Sequence, residues 1–432
     1  MKWNDYYEEH LTTASEAVKA INSGDRVVIS HACGEPTSLV DAMVDRADEL
    51  RDVEIVHMVS MGNARYCLPE YAGSFRHNSL FVGATSRKAV NEGRGDYTPC
   101  FFSEIPRLFR DEVLPVDVAL ITVSPPDKLG FFCLGISVDY TRQAALSAKT
   151  VIAAVNPNMP KVGGESCLHA TDIDYFVPTG RPLIELAPPK VGEVEKAIGG
   201  HAASIIKDGD CLQLGIGALP DAVLSFLGEK NDLGIHSEMI SDGAMKLVNS
   251  GVITCRRKTF LPGKIVITFA MGTSAFYEWL NDNTMIEAYP VDFVNDPFRI
   301  AQNDNMVAIN SALAVDLMGQ IAATTLGSMQ YSGVGGQVDF VRGASRSKGG
   351  RSIIALPSTA AKGTQSRIVA CLQPGQSVTT SRYDVDYVAT EFGIAALKGK
   401  TLRQRREALI EIAHPDFRDQ LRDEYRKVCA AA

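Results

Sequence analysis

At 432 residues, with 45% hydrophobic and 22% charged side chains, the chain has a soluble globular composition and more length than one core comfortably holds, so two domains are expected. A net charge of −8 argues against a nucleic-acid partner, because affinity for a phosphate backbone needs a basic face. The longest apolar runs, such as Val116–Val123, are strand-sized, and the start (Met1-Lys2-Trp3-Asn4-Asp5) lacks an apolar leader, so no membrane span and a cytoplasmic location are expected.

In chain order, residues 17–21 end a helix at Ser23-Gly24, and residues 26–30 then read as a strand. Residues 37–47 carry Leu39, Val40, Met43 and Val44 at helical spacing. Residues 53–58, 116–123, 151–155, 265–269 and 352–356 are short and rich in β-branched residues, as strands covered on both faces require. Strands alternating with amphipathic helices define an α/β fold.

An internal repeat supports two domains. Ser23-Gly24-Asp25 leads into Arg26-Val27-Val28-Ile29-Ser30-His31, then Glu35-Pro36 and a helix. Asp208-Gly209-Asp210 leads into Cys211-Leu212-Gln213-Leu214-Gly215-Ile216, then Leu219-Pro220 and another helix. Each half thus opens with a helix, strand, turn and helix. A proline-rich stretch, Val177-Pro178 through Pro182 to Pro188-Pro189, has linker composition. The expected domains are residues 1–182 and 183–432.

Nine cysteines stand singly without a C-x-x-C, and eight histidines are equally dispersed. This suits a reducing compartment and predicts neither a disulfide framework nor a metal site.

Three segments have the residue types for chemistry. Gln213-Leu214-Gly215-Ile216-Gly217-Ala218-Leu219-Pro220 follows a strand and opens a helix, where backbone N–H groups converge on an anion or a developing oxyanion. With only G-x-G present, a tight turn that holds no ligand is an equal reading. Ser332-Gly333-Val334-Gly335-Gly336-Gln337 places three glycines in four residues, which fits either backbone packed on a ligand or a strained turn. From Phe340 to Tyr383 there is no acidic residue, while Arg342, Arg346, Lys348, Arg351, Lys362, Arg367 and Arg382 are basic. A solvated loop and a phosphate-bearing small ligand explain that run about equally. Finally, residues 233–240 read as a strand with Glu238 near its carboxyl end, where ligands lie in open α/β sheets. Glu238 there is either a nucleophile or a carboxylate pairing within the turn.

Taken together, Gly-Ile-Gly-Ala-Leu-Pro-Asp-Ala-Val at 215–223, Gly-Ile-His-Ser-Glu-Met-Ile-Ser-Asp-Gly at 234–243 and Tyr-Ser-Gly-Val-Gly-Gly-Gln-Val-Asp-Phe-Val-Arg-Gly-Ala at 331–344 resemble the acetyl-CoA hydrolase/transferase family. So do Ser-Pro-Pro-Asp at 124–127, Thr-Glu-Phe-Gly-Ile-Ala-Ala-Leu-Lys-Gly-Lys at 390–400 and Ile-Ala-His-Pro-Asp-Phe-Arg at 412–418. The motifs run in family order over nearly the whole chain. Within the family the resemblance is to the 4-hydroxybutyrate and butyryl-CoA:acetate CoA-transferase branch.

The resemblance implies a class I CoA-transferase fold, two similar open α/β domains with the active site between them. It also implies a ping-pong reaction in which the glutamate of His-Ser-Glu-Met, here Glu238, carries CoA as a thioester. Coenzyme A is then a substrate, with no permanently bound cofactor, and short-chain carboxylates are the co-substrates. The backbone of Gly215 and Gly217 and of Gly335 and Gly336 is expected to serve oxyanions. Ile216, Ala218 and Leu219 of the same loop are expected to bind substrate or CoA. Gln213 is expected to bind the substrate carboxylate or carbonyl. His31 is read either as an acid-binding group or as a structural histidine. Asn310 and Lys362 are read as contacts for pantetheine and phosphate. The alternative activity is hydrolysis of acetyl-CoA on the same glutamate, and a non-enzymatic CoA sensor is a third reading. A homodimer or a multiple of it is the default assembly.

Overall fold

The computed structural model describes residues 2–431, which divide into two compact units. The first takes the chain as far as Ala187 and adds Val266–Val294 and Gln330–Gly333. The second consists of Pro188–Ile265, Asn295–Met329 and the chain from Val334 onward.

The first unit is built on seven strands: β1 (Arg26–Ile29), β2 (Val53–His57), β3 (Phe75–Ser79), β4 (Gly95–Tyr97), β5 (Val116–Val123), β6 (Ala148–Val155) and β7 (Tyr175–Pro178). Their order across the sheet is β7-β6-β5-β1-β2-β3-β4, and every neighbouring pair is parallel. Helix α1 (Thr37–Val44) buries Leu39, Val40, Met43 and Val44 in a core with Val27, Ile29, Ile55 and Leu120. Parallel strands covered in this way need the near-continuous apolar sequence that β5 shows. Within this unit Val266–Val294 is tied down by backbone bonds, including Val291 N–H to Asp139 O at 3.2 Å and Leu186 N–H to Gly272 O at 2.9 Å.

The second unit opens with α2 (Glu193–Ala203), β8 (Cys211–Gln213), α3 (Ala218–Ser225), β9 (Gly234–Ile235) and α4 (Asp242–Asn249). It continues with β10 (Met306–Ser311), α5 (Gln337–Arg346), β11 (Arg351–Ala355), β12 (Tyr387–Thr390) and β13 (Gly393–Ala396). The sheet order is β9-β8-β10-β11-β12-β13, parallel except for the β12–β13 hairpin at one edge. Val341, Ile354, Val388, Leu409 and Ile410 belong to its core.

The repeat has the same hydrogen bonds in both units. The Asp25 carboxylate accepts the Asn22 N–H at 2.7 Å, and the Asp210 carboxylate accepts the Lys207 N–H at 2.6 Å. Gly24 and Gly209 both take positive φ, and their N–H groups donate to Arg51 O and Asn231 O, each at 2.9 Å. The carbonyls of Asp25 and Asp210 accept from Glu54 and Gly234, again at 2.9 Å. Gly-Asp therefore ends a turn and aligns the first strand of each unit with its neighbour, β1 with β2 and β8 with β9.

Two expectations are corrected. Residues 233–240 are not one strand: β9 stops at Ile235, and Met239–Ile240 is a separate short strand outside this sheet. The stretch at 265–269 is likewise interrupted at Thr268. Among the described residues no helix is long and apolar enough to cross a membrane.

Candidate active site

The break after β9 is what presents Glu238. His236 N–H still bonds Leu212 O on β8 at 3.2 Å, but at the next residue a side chain replaces the backbone ladder. The Ser237 hydroxyl donates to Leu214 O at 3.1 Å and accepts from Leu214 N–H at 3.2 Å. The His236 ring is fully buried, with Phe260 at 5.9 Å and Phe340 at 6.2 Å between ring centres. From below, the buried Lys258 ammonium donates to Ile235 O at 2.8 Å and to Lys264 O at 2.6 Å. Its stem lies against Gly234, where a methyl group would overlap it. His236 and Ser237 are thereby committed to the interior, and Glu238 alone of residues 233–240 is accessible.

The Glu238 carboxylate is itself positioned. Asn295, fully buried, donates its side-chain N–H to Glu238 Oε2 at 2.9 Å. Gly336, the residue before α5, closes the other side: a methyl there would overlap both Glu238 Oε2 and Asn295 Nδ2. Gly335 next to it has φ +53°, a left-handed conformation that costs glycine nothing. Helix α5 is fixed at its first residue, because Gln337 donates to Ser311 O at 2.7 Å and accepts from the Thr380 hydroxyl at 3.0 Å. Gly333 belongs to the first unit and packs on Phe81 there. The three glycines in this run therefore answer to three different constraints.

The Gly215–Gly217 loop lies between β8 and α3 and is joined to the Glu238 segment through Ser237 and Leu214. Gly217 caps α3 with φ +113°, and Ala218 and Leu219 form the first turn. Ile216 stands 48% exposed. Gln213 at the end of β8 and Asn310 on β10 form a reciprocal amide pair, 3.0 Å in one direction and 3.4 Å in the other. In the second unit, therefore, Glu238, Gly336 and Asn295 form one contact set, and Gln213, Asn310 and the glycine loop another linked to it.

His31 and Lys362 are placed differently. His31 is 2% exposed inside the first unit, with Nδ1 3.3 Å from Asp139 Oδ2 and the Phe102, Tyr140 and Phe269 rings around it. Lys362 is an exposed residue of a short left-handed turn. The basic run is not a single loop. Arg351 on β11 reaches the buried Asp210 and Ile205 O, Arg342 lies 3.7 Å from Asp384, and Arg346 stacks over Phe298. Sequence reading missed Asn295 and Lys258. Asn295-Asp296-Pro297 reads locally as a helix start, and nothing in its neighbours points to a carboxylate 57 positions earlier.

Two domains of one family match this chain: the acetyl-CoA hydrolase/transferase N-terminal domain over residues 1–184 and the C-terminal domain over residues 272–425. The chain belongs to the acetyl-CoA hydrolase/transferase family and is a CoA-transferase. It is 59% identical to the 4-hydroxybutyrate coenzyme A transferase of Clostridium kluyveri, over 99% of this chain and 100% of that one. It is 40% identical to the butyryl-CoA:acetate CoA-transferase of Anaerostipes caccae, over 98% of this chain and 97% of the relative. Among solved structures, a 4-hydroxybutyrate CoA-transferase from Porphyromonas gingivalis superposes with a TM-score of 0.85 at 42% identity, covering 99% of this chain and all of the other.

Proposed function

We propose that the protein moves CoA between acetyl-CoA and a short-chain acid, 4-hydroxybutyrate or butyrate, through a glutamyl-CoA thioester on Glu238. The observation that carries this reading is the accessible Glu238 carboxylate, with one oxygen held by the buried Asn295 amide and the backbone of Gly336 packed against it. The two most relevant relatives described above supply the choice of acids.

The sequence of steps follows from carboxylate chemistry. Glu238 attacks the thioester carbonyl, and the tetrahedral oxyanion collapses to an acyl-glutamyl anhydride while CoA leaves as thiolate. The thiolate then attacks the glutamyl carbonyl, the donor acid departs, and CoA remains on Glu238. An acceptor carboxylate attacks that thioester and the two steps run in reverse. A carboxylate nucleophile suits this exchange because its anhydride stays activated and the thioester's energy is kept. Each step passes through an oxyanion, and the N–H groups around Gly215–Gly217 and Gly335–Gly336 are assigned to it. In comparable sites one such donor is worth about 3–4 kcal/mol of barrier.

The Gln213–Asn310 amides are assigned to substrate carbonyl and pantetheine groups. Lys362, as an exposed point charge, is assigned to phosphate. No step is assigned to His31, whose ring is buried against Asp139. Butyrate and 4-hydroxybutyrate differ by one hydroxyl, on which an apolar pocket discriminates only about 100-fold, so both are expected to serve.

The test is acetyl-CoA turnover with and without each acid, with products separated by chromatography. Formation of the new acyl-CoA at least about tenfold faster than free CoA release supports transfer. Equal release of free CoA with no acceptor present would make the protein a hydrolase instead.

A further inference from the structure

The first unit holds two thiols that the proposed reaction does not use. The short strands Phe131–Cys133 and Cys167–His169 are antiparallel, with Cys133 directly opposite Cys167. The ladder bonds fall on the neighbouring pairs: Leu134 N–H donates to Ser166 O at 2.8 Å, and Ala170 N–H donates to Gly130 O at 2.9 Å. Cys133 and Cys167 therefore occupy a non-hydrogen-bonded pair, in which Cα atoms stand about 4.5 Å apart and side chains share one face. Disulfides take Cα separations of about 4.4–6.8 Å. The register thus sets the two cysteines at a spacing that disulfides adopt.

The site also distinguishes the two thiols. Cys133 Sγ is buried; it accepts the backbone N–H groups of Gly135 and Val162, each at 3.4 Å, and as a thiol it reaches Ser166 Oγ at 3.4 Å and Val162 O at 3.8 Å. The two backbone N–H donors favour negative charge on this sulfur. The Cys167 thiol, hydrogen-bonded to it, is the largest influence lowering the Cys133 pKa, and the same contact raises that of Cys167. Cys167 is partly exposed, beside the exposed residues 163–165, which gives a small oxidant a way in. A thiolate next to a protonated partner within bonding reach is the arrangement of an attacking and a resolving cysteine.

We propose that Cys133 and Cys167 are a redox pair that a hydroperoxide converts to a disulfide. The Cys133 thiolate attacks the terminal peroxide oxygen, its S–O bond forming as the O–O bond breaks and hydroxide (from hydrogen peroxide) or alkoxide (from an organic hydroperoxide) leaves. The Cys167 sulfur then displaces the oxygen from the Cys133 sulfenic acid, and that oxygen departs as water with the Cys167 proton. Two electrons pass from the dithiol to the peroxide. Dithiothreitol restores both thiols by exchange.

The experiment treats the full-length protein with a small excess of hydrogen peroxide, blocks remaining thiols with iodoacetamide and digests it without reductant. The expected product is a Cys133–Cys167 linked peptide, two hydrogens lighter than the sum of its parts and abolished by dithiothreitol. The exposed Cys371 serves as the internal comparator, and most of it is expected to remain alkylated. In Cys167→Ser, dimedone is expected to trap a sulfenic acid on Cys133; in Cys133→Ser no sulfenic acid is expected on Cys167. If both cysteines of the wild-type protein stay alkylated while Cys371 oxidises, the proposal is overturned. A disulfide joining either one to a different cysteine would overturn it as well. The wild-type map decides the matter even if a variant fails to fold.

Discussion

The Asn295 amide and the Glu238 carboxylate meet at 2.9 Å across 57 positions of sequence, and Asn295 is fully buried while Glu238 is not. A buried donor with fixed geometry sets the orientation of the carboxylate. Asn295→Ala is expected to lower kcat by about 10–100-fold, or roughly 1.4–2.7 kcal/mol, with a smaller change in the KM for acetyl-CoA. Asn295→Asp sets a second carboxylate against the first and should be worse at neutral pH, with partial recovery as the pH is lowered and one of the pair protonates. Steady-state kinetics across pH checks both; an unchanged kcat in Asn295→Ala would remove the positioning role.

At Gly336 the constraint is steric. A methyl group would overlap Glu238 Oε2 and Asn295 Nδ2 together, so relief requires moving the Glu238 carboxylate or its amide partner. Gly336→Ala is expected to lose at least about 100-fold in kcat, roughly 2.7 kcal/mol, while circular dichroism and the unfolding midpoint stay near wild type. Equal losses of activity and stability would make this a packing position only.

Ser237 carries a different load. Its hydroxyl makes both hydrogen bonds to Leu214, and Ser237→Ala leaves that buried backbone N–H and carbonyl without them. The expected cost is about 1–3 kcal/mol of stability, read by urea denaturation, together with a moderate fall in kcat as the Gly215–Gly217 loop loosens from Glu238.

Much of this arrangement is legible in the sequence wherever the determinant is local. Val116–Val123 forms the strand its apolar run indicates, and Gly24-Asp25 and Gly209-Asp210 set the same turn twice because one aspartate and one glycine suffice for it. What escapes is what depends on distant partners. Residues 233–240 look like a single strand, yet the Ser237 side chain takes over Leu214 and ends the ladder. Arg351 sits in an apparently basic surface run, but it reaches the buried Asp210, 141 positions earlier. Cys133 and Cys167 read as scattered thiols until strand register sets them opposite each other. Asn295 has no local signature at all.

The buried histidines of the first unit give a pH dependence of stability. Burial holds His77 down to about 4 from 6.5, and burial, with His77 nearby, puts His57 well below its ordinary value. Both are neutral when folded, so as the pH falls below about 6.5 the unfolded chain takes up protons that the folded chain refuses. Stability should be full above that pH and fall between about 6.5 and 4, with His77 alone accounting for on the order of 3 kcal/mol. Glu35, whose carboxyl burial pushes up, works in the opposite direction and offsets part of the loss. Urea denaturation from pH 7.5 to pH 4.5 checks the sum, and His77→Gln should flatten the slope. A slope unchanged in that variant would assign the loss to other groups.

The central claim, that Glu238 carries CoA, is tested most directly by mixing the purified protein with acetyl-CoA, quenching, and mapping adducts by peptide mass spectrometry beside Glu238→Ala. A CoA-sized adduct on the Glu238 peptide, absent from the variant and discharged by added butyrate or 4-hydroxybutyrate, is the predicted result. Turnover of acetyl-CoA that persists in Glu238→Ala, or an adduct on another residue, would contradict it.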